Sequence, residues 1–187
     1  MKVYESGQIR NIVLIGHGSA GKTTLAEAMM YQTGAVGRMG RVDAGTTLSD
    51  TDTDEVQRQI SISTSLLPVQ YNGVKINVLD TPGYADFVSE VVGALFVADA
   101  ALVVVDAVNG VEVQTERYWR MATERALPRL FVINKMDKEH ASFDRTLEAL
   151  RGRFGNAVVA LALPIGEQAG FKGYVDLVRM QAFMETD

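Results

Sequence analysis

The stretch "GHGSAGKT", residues 16–23, gathers three glycines, a lysine and a threonine into eight positions. That set can bind phosphate. Glycines let successive backbone N–H groups wrap an anion, a lysine adds a point charge, and a threonine hydroxyl can hold a divalent cation. Two patterns fit. Gly16, Gly18 and Gly21 satisfy G-x-G-x-x-G, the dinucleotide fingerprint, while Gly16, Gly21, Lys22 and Thr23 satisfy G-x-x-x-x-G-K-[ST], the P-loop. A dinucleotide site wants a second strand ending in an acid about 20 residues on. Asp43 is near that distance, but "GAVGRMGRVDAG" (34–45) is no strand. The P-loop pattern also uses Lys22 and Thr23, which its rival leaves idle. It makes Gly16, His17, Gly18, Ser19, Ala20, Gly21, Lys22, Thr23 and Thr24 the candidate phosphate contacts. Lys22 would bridge β- and γ-phosphates and Thr23 would hold Mg²⁺. Two histidines in the whole chain make no metal site, so His17 counts only as part of the loop.

Two further stretches suit the same ligand. "VLDTPGYADF" (78–87) is an apolar strand that ends in Asp80 and breaks into Thr81, Pro82 and Gly83. An acid, a tight turn and a glycine amide suit a loop that senses a phosphate, and Tyr84 follows with a phenol. "NKMD" (134–137) comes directly after another strand, so its side chains emerge at the carboxyl edge of the sheet, where ligands bind. Asp137 there can accept from both N1–H and N2–H₂ of guanine. Adenine offers no such donor pair, and a bidentate base contact discriminates by about 1–3 kcal/mol. Asn134 would tie this loop to the phosphate loop, and the Lys135 stem would cover the base.

These residues need a scaffold that brings strand ends together. Apolar runs at 9–16, 67–71, 74–80, 100–106, 129–134 and 157–163 read as strands. Helical patterns near 22–32, 85–97, 112–125 and 143–154 lie between them. The alternation predicts an α/β fold: a mainly parallel sheet with helices on both faces. Asn72-Gly73 between two of the strands predicts a hairpin, and with it one antiparallel edge strand. Residues 34–63 are glycine-rich, then acidic, and show little periodicity. A loop that long in a compact domain is expected to be functional or disordered. Within it "DTDTDE" (50–55) imitates a calcium loop, but Glu55 and Ser61 stand where an EF-hand needs Gly and Glu. It reads as a solvated acidic segment.

Composition narrows the classes. At 187 residues and 47% hydrophobic content the chain supports one domain with a real core. The absence of cysteine rules out disulfides and zinc-thiolate sites. The net charge of −5 is no footprint for strong nucleic-acid binding. The longest greasy stretch, 94–108, is interrupted by Asp99 and Asp106 and is too short to span a bilayer. The expectation is a soluble, cytoplasmic chain with no membrane partner.

In this order the motifs resemble those of translational GTPases, specifically elongation factor G-like proteins. The likeness runs through "GHGSAGKTTLAEAM", "SDTDTDEVQRQISIS", "DTPGYADFVSEV", "ALVVVDAVNGVEVQTERYW", "LPRLFVINKMDKE" and "FKGYVDLVRM". It implies the P-loop GTPase fold, with GTP as substrate, GDP as product and Mg²⁺ as cofactor. It implies that Asp80 contacts Mg²⁺ through water beside Thr23 and Ser61, and that the Gly83 amide senses the γ-phosphate. Residues 38–63 would be switch I and 80–90 switch II, both ordered by the γ-phosphate and its metal. Lys22, Gly83 and Tyr84 would be the catalytic group. The ribosome would be the partner of the intact multidomain protein.

Four positions depart from the family pattern. Switch I reads "RQISI" (58–62), so Ser61 stands where the Mg²⁺-binding Thr is usual. Ser19 replaces a usual Asp, and Gly18 replaces an apolar residue that forms one wing of a gate around the attacking water. Tyr84 replaces the catalytic His. A phenol ordinarily ionises only near pH 10 and is a poor base, so slow hydrolysis is expected. Its hydroxyl can still orient water, which matters more in phosphoryl transfer. Residues 1–163 would be the GTPase core. Residues 164–187 would begin an inserted subdomain, ahead of a last guanine-binding loop that the chain does not reach. A non-enzymatic alternative is a GTP-occupancy switch with negligible hydrolysis, acting as a ribosome-binding regulator. A nicotinamide-dependent oxidoreductase rests on G-x-G-x-x-G alone.

Overall fold

Strand β1 (Ile9–Ile15) is an apolar run that buries Val13, Leu14 and Ile15 completely, as a central strand covered on both faces must. The structure, a computed structural model, describes residues 3–184. It divides into two compact units. The first runs to Val104 and takes in Val113–Val132. The second takes in Val105–Glu112 and the described residues from Ile133 on.

The first unit is built on a five-stranded sheet in the order β2-β3-β1-β4-β5. Its strands are β1, β2 (Ser65–Tyr71), β3 (Val74–Asp80), β4 (Ala100–Asp106) and β5 (Arg129–Asn134). β1 pairs in parallel with β3 and β4, and β2 lies antiparallel against β3 as the edge. Asn72 and Gly73, with φ +47° and +81°, both adopt the left-handed conformation of a two-residue hairpin turn. Pro68 sits exposed in the middle of the edge strand. The unit's helices are α1 (Lys22–Gln32), α2 (Thr53–Arg58), α3 (Val88–Val97) and α4 (Val113–Glu124), while α5 (Phe143–Phe154) belongs to the second unit. α1 packs Ala26 and Met30 into a core with Leu14, Leu67, Val69 and Val78.

Three expectations need correction. The helix expected from 85 begins with a tight 3-10 turn at Ala85–Phe87 and becomes α-helical only at Val88. Residues 34–63 are not structureless, because Asp52 and Glu55 form a capping box that starts α2 inside them. The apolar run 157–163 is not a strand of the main sheet. β6 starts at Ala162, runs to Ile165, and pairs with β7 (Gly173–Asp176) in a separate antiparallel sheet completed by β8 (Gln181–Met184). Val159 is exposed, so apolar character there had no sheet to bury it. Among the described residues no helix is long and apolar enough to cross a membrane.

Leu14 is the β1 residue on which α1 and β3 close, and it is fully buried. Leu14→Ala should therefore cost about 2–5 kcal/mol in urea unfolding, against under ~0.5 kcal/mol for a surface change such as Leu66→Ala.

Candidate functional site

The register of the sheet delivers the first half of the site. Leu14 on β1 is level with Asp80 on β3, so both strands release their loops at the same end. The Thr81 hydroxyl donates to the Leu14 carbonyl at 2.6 Å and fixes the second loop against the first. Between β1 and α1 the phosphate loop passes so close to β4 that a Cβ at Gly16 would collide with the Val104 carbonyl oxygen. Its φ of +148° favours glycine as well. Gly21, also left-handed, caps α1. Ala20, Lys22 and Thr23 are buried, Ser19 and Thr24 face solvent, and His17 and Gly18 lie between. The Lys22 ammonium donates to the carbonyls of Gly16 (3.1 Å) and His17 (2.8 Å), so its charge is held within the loop.

A group of oxygens surrounds the N-terminus of α1. The Thr23 hydroxyl lies 3.1 Å from the Ser61 hydroxyl. Asp80 is almost fully buried, and neither of its carboxyl oxygens has a hydrogen bond of ordinary geometry. Burial pushes its pKa up to about 6, against the opposing pull of the nearby Thr23 hydroxyl and the Lys22 charge. Asp50 is buried too and has an unpaired oxygen, and burial raises it against the pull of the Ser61 hydroxyl. Buried orphan oxygens call for an explanation. Neighbouring ligands of an octahedral Mg²⁺ at about 2.1 Å stand about 3.0 Å apart. The two hydroxyls match that spacing, and a hydrated ion would satisfy Asp80. Among the described residues no group of three or more His, Asp and Glu could hold a metal. Hydroxyls and acids are the oxygen donors that would suit Mg²⁺.

Two glutamates anchor the segment that carries Ser61, and sequence reasoning missed both. Glu27, fully buried on α1, accepts the backbone N–H groups of Gly40 and Leu48. Glu55, also buried, accepts those of Thr51, Asp52, Ile62 and Ser63, between 2.9 and 3.1 Å. The acidic stretch 50–55 is thus not simply solvated, because Asp50 and Glu55 point inward. Its D-x-x-E spacing at 52–55 was the available signal.

The second loop lies over the first. A Cβ at Gly83 would collide with the Lys22 ammonium and come within 2.6 Å of the Gly18 nitrogen. Tyr84 is 36% exposed, and its hydroxyl lies 3.4 Å from the Ser19 hydroxyl.

The second unit carries the remaining motif. Asn134 ends β5, and its carbonyl accepts the Ala107 N–H. Lys135 turns left-handed, at φ +61°, and its ammonium pairs with Asp106 at 2.8 Å. Met136 is buried with Ala107 and Ala141, while the Asp137 side chain is 63% exposed. Its neighbour Lys138 approaches it at 3.4 Å in solvent, an ion pair of little strength. Asp106, unforeseen as a partner, also accepts from Val108 and Asn109. Burial would raise its pKa, but the Lys135 hydrogen bond and charge, with the two amides, hold it below the usual carboxylate range.

The chain is similar to known proteins. The family model described as the elongation factor Tu GTP binding domain matches residues 7–186. The chain is 41% identical over 179 residues to elongation factor G 2 of Streptomyces coelicolor, covering 96% of this chain and 26% of that protein. It is 40% identical over 186 residues to elongation factor G of Petrotoga mobilis, covering 100% and 27%. A crystal structure from Thermus thermophilus superposes with a TM-score of 0.91 at 40% identity, over 97% of this chain and 27% of that one. The chain therefore spans about a quarter of the length of the curated relatives it matches.

Two measurements check this geometry. Glu55→Gln replaces an acceptor oxygen with a donor facing N–H groups, at a cost of about 1–3 kcal/mol. Hydrogen exchange at the amides of Ile62 and Ser63 should then quicken about 5- to 150-fold, while β1 amides keep their protection. Asp106→Asn should cost about 1.5–3 kcal/mol at neutral pH. Asp106 is depressed in the folded chain, so its contribution is present above its unfolded value near pH 3.9 and lost as pH falls through its lower folded value. The gap between parent and variant denaturation midpoints should narrow as pH falls below the unfolded value, and a gap that stays constant on acidification would contradict the pairing.

Proposed function

Because this chain belongs to the elongation factor Tu GTP-binding domain family, we propose that it binds and hydrolyses GTP as the nucleotide domain of an elongation factor G-like translation factor. The observation that carries the reading is the meeting of the Thr23 and Ser61 hydroxyls at 3.1 Å, beside the unpaired carboxyl of Asp80. A plain nucleotide-binding turn has no use for a hydroxyl brought in from 38 residues away in sequence. A GTPase needs one, because ordering that segment is how the terminal phosphate is read.

Each chain group then has a task. Backbone N–H groups from Gly16 to Thr24 cradle the phosphates, with the N-terminus of α1 behind them. Lys22 exchanges its hold on the loop carbonyls for β- and γ-oxygens. Thr23 and Ser61 would hold Mg²⁺ directly and Asp80 through water. When bound, that ion neutralises charge developing on the β- and γ-oxygens. The Gly83 N–H would donate to the γ-phosphate. Tyr84 would orient the attacking water with its hydroxyl and leave it protonated, which gives a working but slow hydrolase. Asp137 would accept from N1–H and N2–H₂ of guanine, with Asn134 and Lys135 bracing its loop. Residues 1–163 act as the GTPase core and 164–187 as the start of an inserted subdomain. The ribosome is the partner of the whole protein, in the cytoplasm, and would accelerate turnover.

The test begins with calorimetry in Mg²⁺. GDP should bind and ADP should not, and Asp137→Ala should weaken GDP about 5- to 150-fold, the size of a lost bidentate base contact. Equal binding of ADP would overturn the guanine reading. Turnover of the intact factor with ribosomes, beside Tyr84→His, then reads the rate, and the variant should be faster. Tight GTP binding with background turnover in both would favour a GTP-occupancy switch that regulates by binding.

A further inference from the structure

Gly18 has no backbone reason to be glycine. Gly16 and Gly21 adopt positive φ, but Gly18 does not, so an L-residue could take its conformation without strain. What excludes a side chain there is a neighbour. A Cβ at Gly18 would lie 2.8 Å from Cζ and 3.0 Å from both Cε atoms of Tyr84. The hydroxyl end of the phenol ring therefore rests on the Gly18 backbone. The Tyr84 hydroxyl then reaches Ser19, at 3.4 Å, the next residue of the loop. Ser19 itself stands at φ +61°, a left-handed conformation that turns its short polar side chain out to solvent. Behind the ring the Tyr118 hydroxyl donates to the Tyr84 carbonyl at 3.4 Å. Gly83 packs on the Gly18 nitrogen and Cα.

We propose that Gly18 and Ser19 are positioning residues for Tyr84: the missing side chain at 18 makes the slot that the ring fills, and the Ser19 hydroxyl sets the direction of the phenol. A side chain at 18 and a ring at 84 claim the same volume. Positions 18, 19 and 84 thus form one unit, and no one of them can be exchanged alone with its effect confined to itself. Gly18→Ala displaces the ring by rotation about its own χ angles, which is cheap in stability, and so removes the hydroxyl from its place while the loop still folds. The rate consequence of this unit rests on the GTP-hydrolysing reading above, but the docking of the ring does not.

Two readouts keep these apart. In nuclear magnetic resonance of the nucleotide-free chain, a ring against Gly18 shifts its amide and Hα signals. Those shifts should persist in Tyr84→Phe and vanish in Tyr84→Leu, and identical Gly18 signals in all three would overturn the docking. In single-turnover hydrolysis at saturating GTP, Gly18→Ala should slow the parent about tenfold or more through misplacement of the phenol. In the Tyr84→Leu background the same change should have no further effect. Ser19→Ala should likewise slow the parent and be silent in Tyr84→Phe. An equal loss from Gly18→Ala in both backgrounds would overturn the coupling, since the loop alone would then account for it. Absence of GTP binding by the parent, with the Gly18 shifts intact, would support the docking and count against the hydrolase reading only.

Discussion

Glu27 and Glu55 together accept six backbone N–H groups of the segment between α1 and β2: Gly40, Leu48, Thr51, Asp52, Ile62 and Ser63. Apart from the short helix α2 and the turns that pair Gly45 with Val42 and Thr46 with Arg41, that segment pairs little of its main chain internally, so other amides find partners in side chains. Two buried carboxyl groups supply them. One sits on α1, a turn after Lys22 and Thr23, so the helix that presents the phosphate loop also anchors the loop that brings Ser61 to it. The meeting of the Thr23 and Ser61 hydroxyls follows from this anchoring. Carboxyl oxygens also hold their partners through strong, directional hydrogen bonds that can be released together. A segment held this way can be ordered in one state and freed in another, which is what a loop that reports on a phosphate requires.

The sheet supplies the rest of the precision. Parallel pairing of β1 with β3 sets Leu14 level with Asp80, and one hydroxyl bond from Thr81 locks the two loops together. Every group implicated in phosphate or metal chemistry except Ser61 lies within a few residues of a strand end or a helix start.

Local signals were readable from the sequence where their physics is local. The strand β1 and the helix α1 that follows it, the Asn72-Gly73 hairpin and most of the strand–helix alternation each depend on a few adjacent residues, and each appears where its residues predict. The run 157–163 misled because a short apolar stretch has no period that separates a strand from a surface segment. Pairing decided the matter, with Leu163 opposite Val175. The burial of Glu27 and Asp50 was illegible for a different reason. A carboxyl group turns inward only when distant amides or hydroxyls meet it, and nothing in the neighbouring residues announces those partners. The same holds for Gly18, whose lack of a side chain is explained by a ring 66 residues further along the chain.

The edge strand β2 presents Leu66 and Tyr71, 58% and 56% exposed, along seven residues of extended chain. An apolar edge of that length is a template on which a second copy, or an unfolding chain during synthesis, could add a strand. Pro68 stands between the two with no N–H to offer, so the row of donors is broken near its centre. A single imino acid thus interrupts strand addition at this one edge of the sheet.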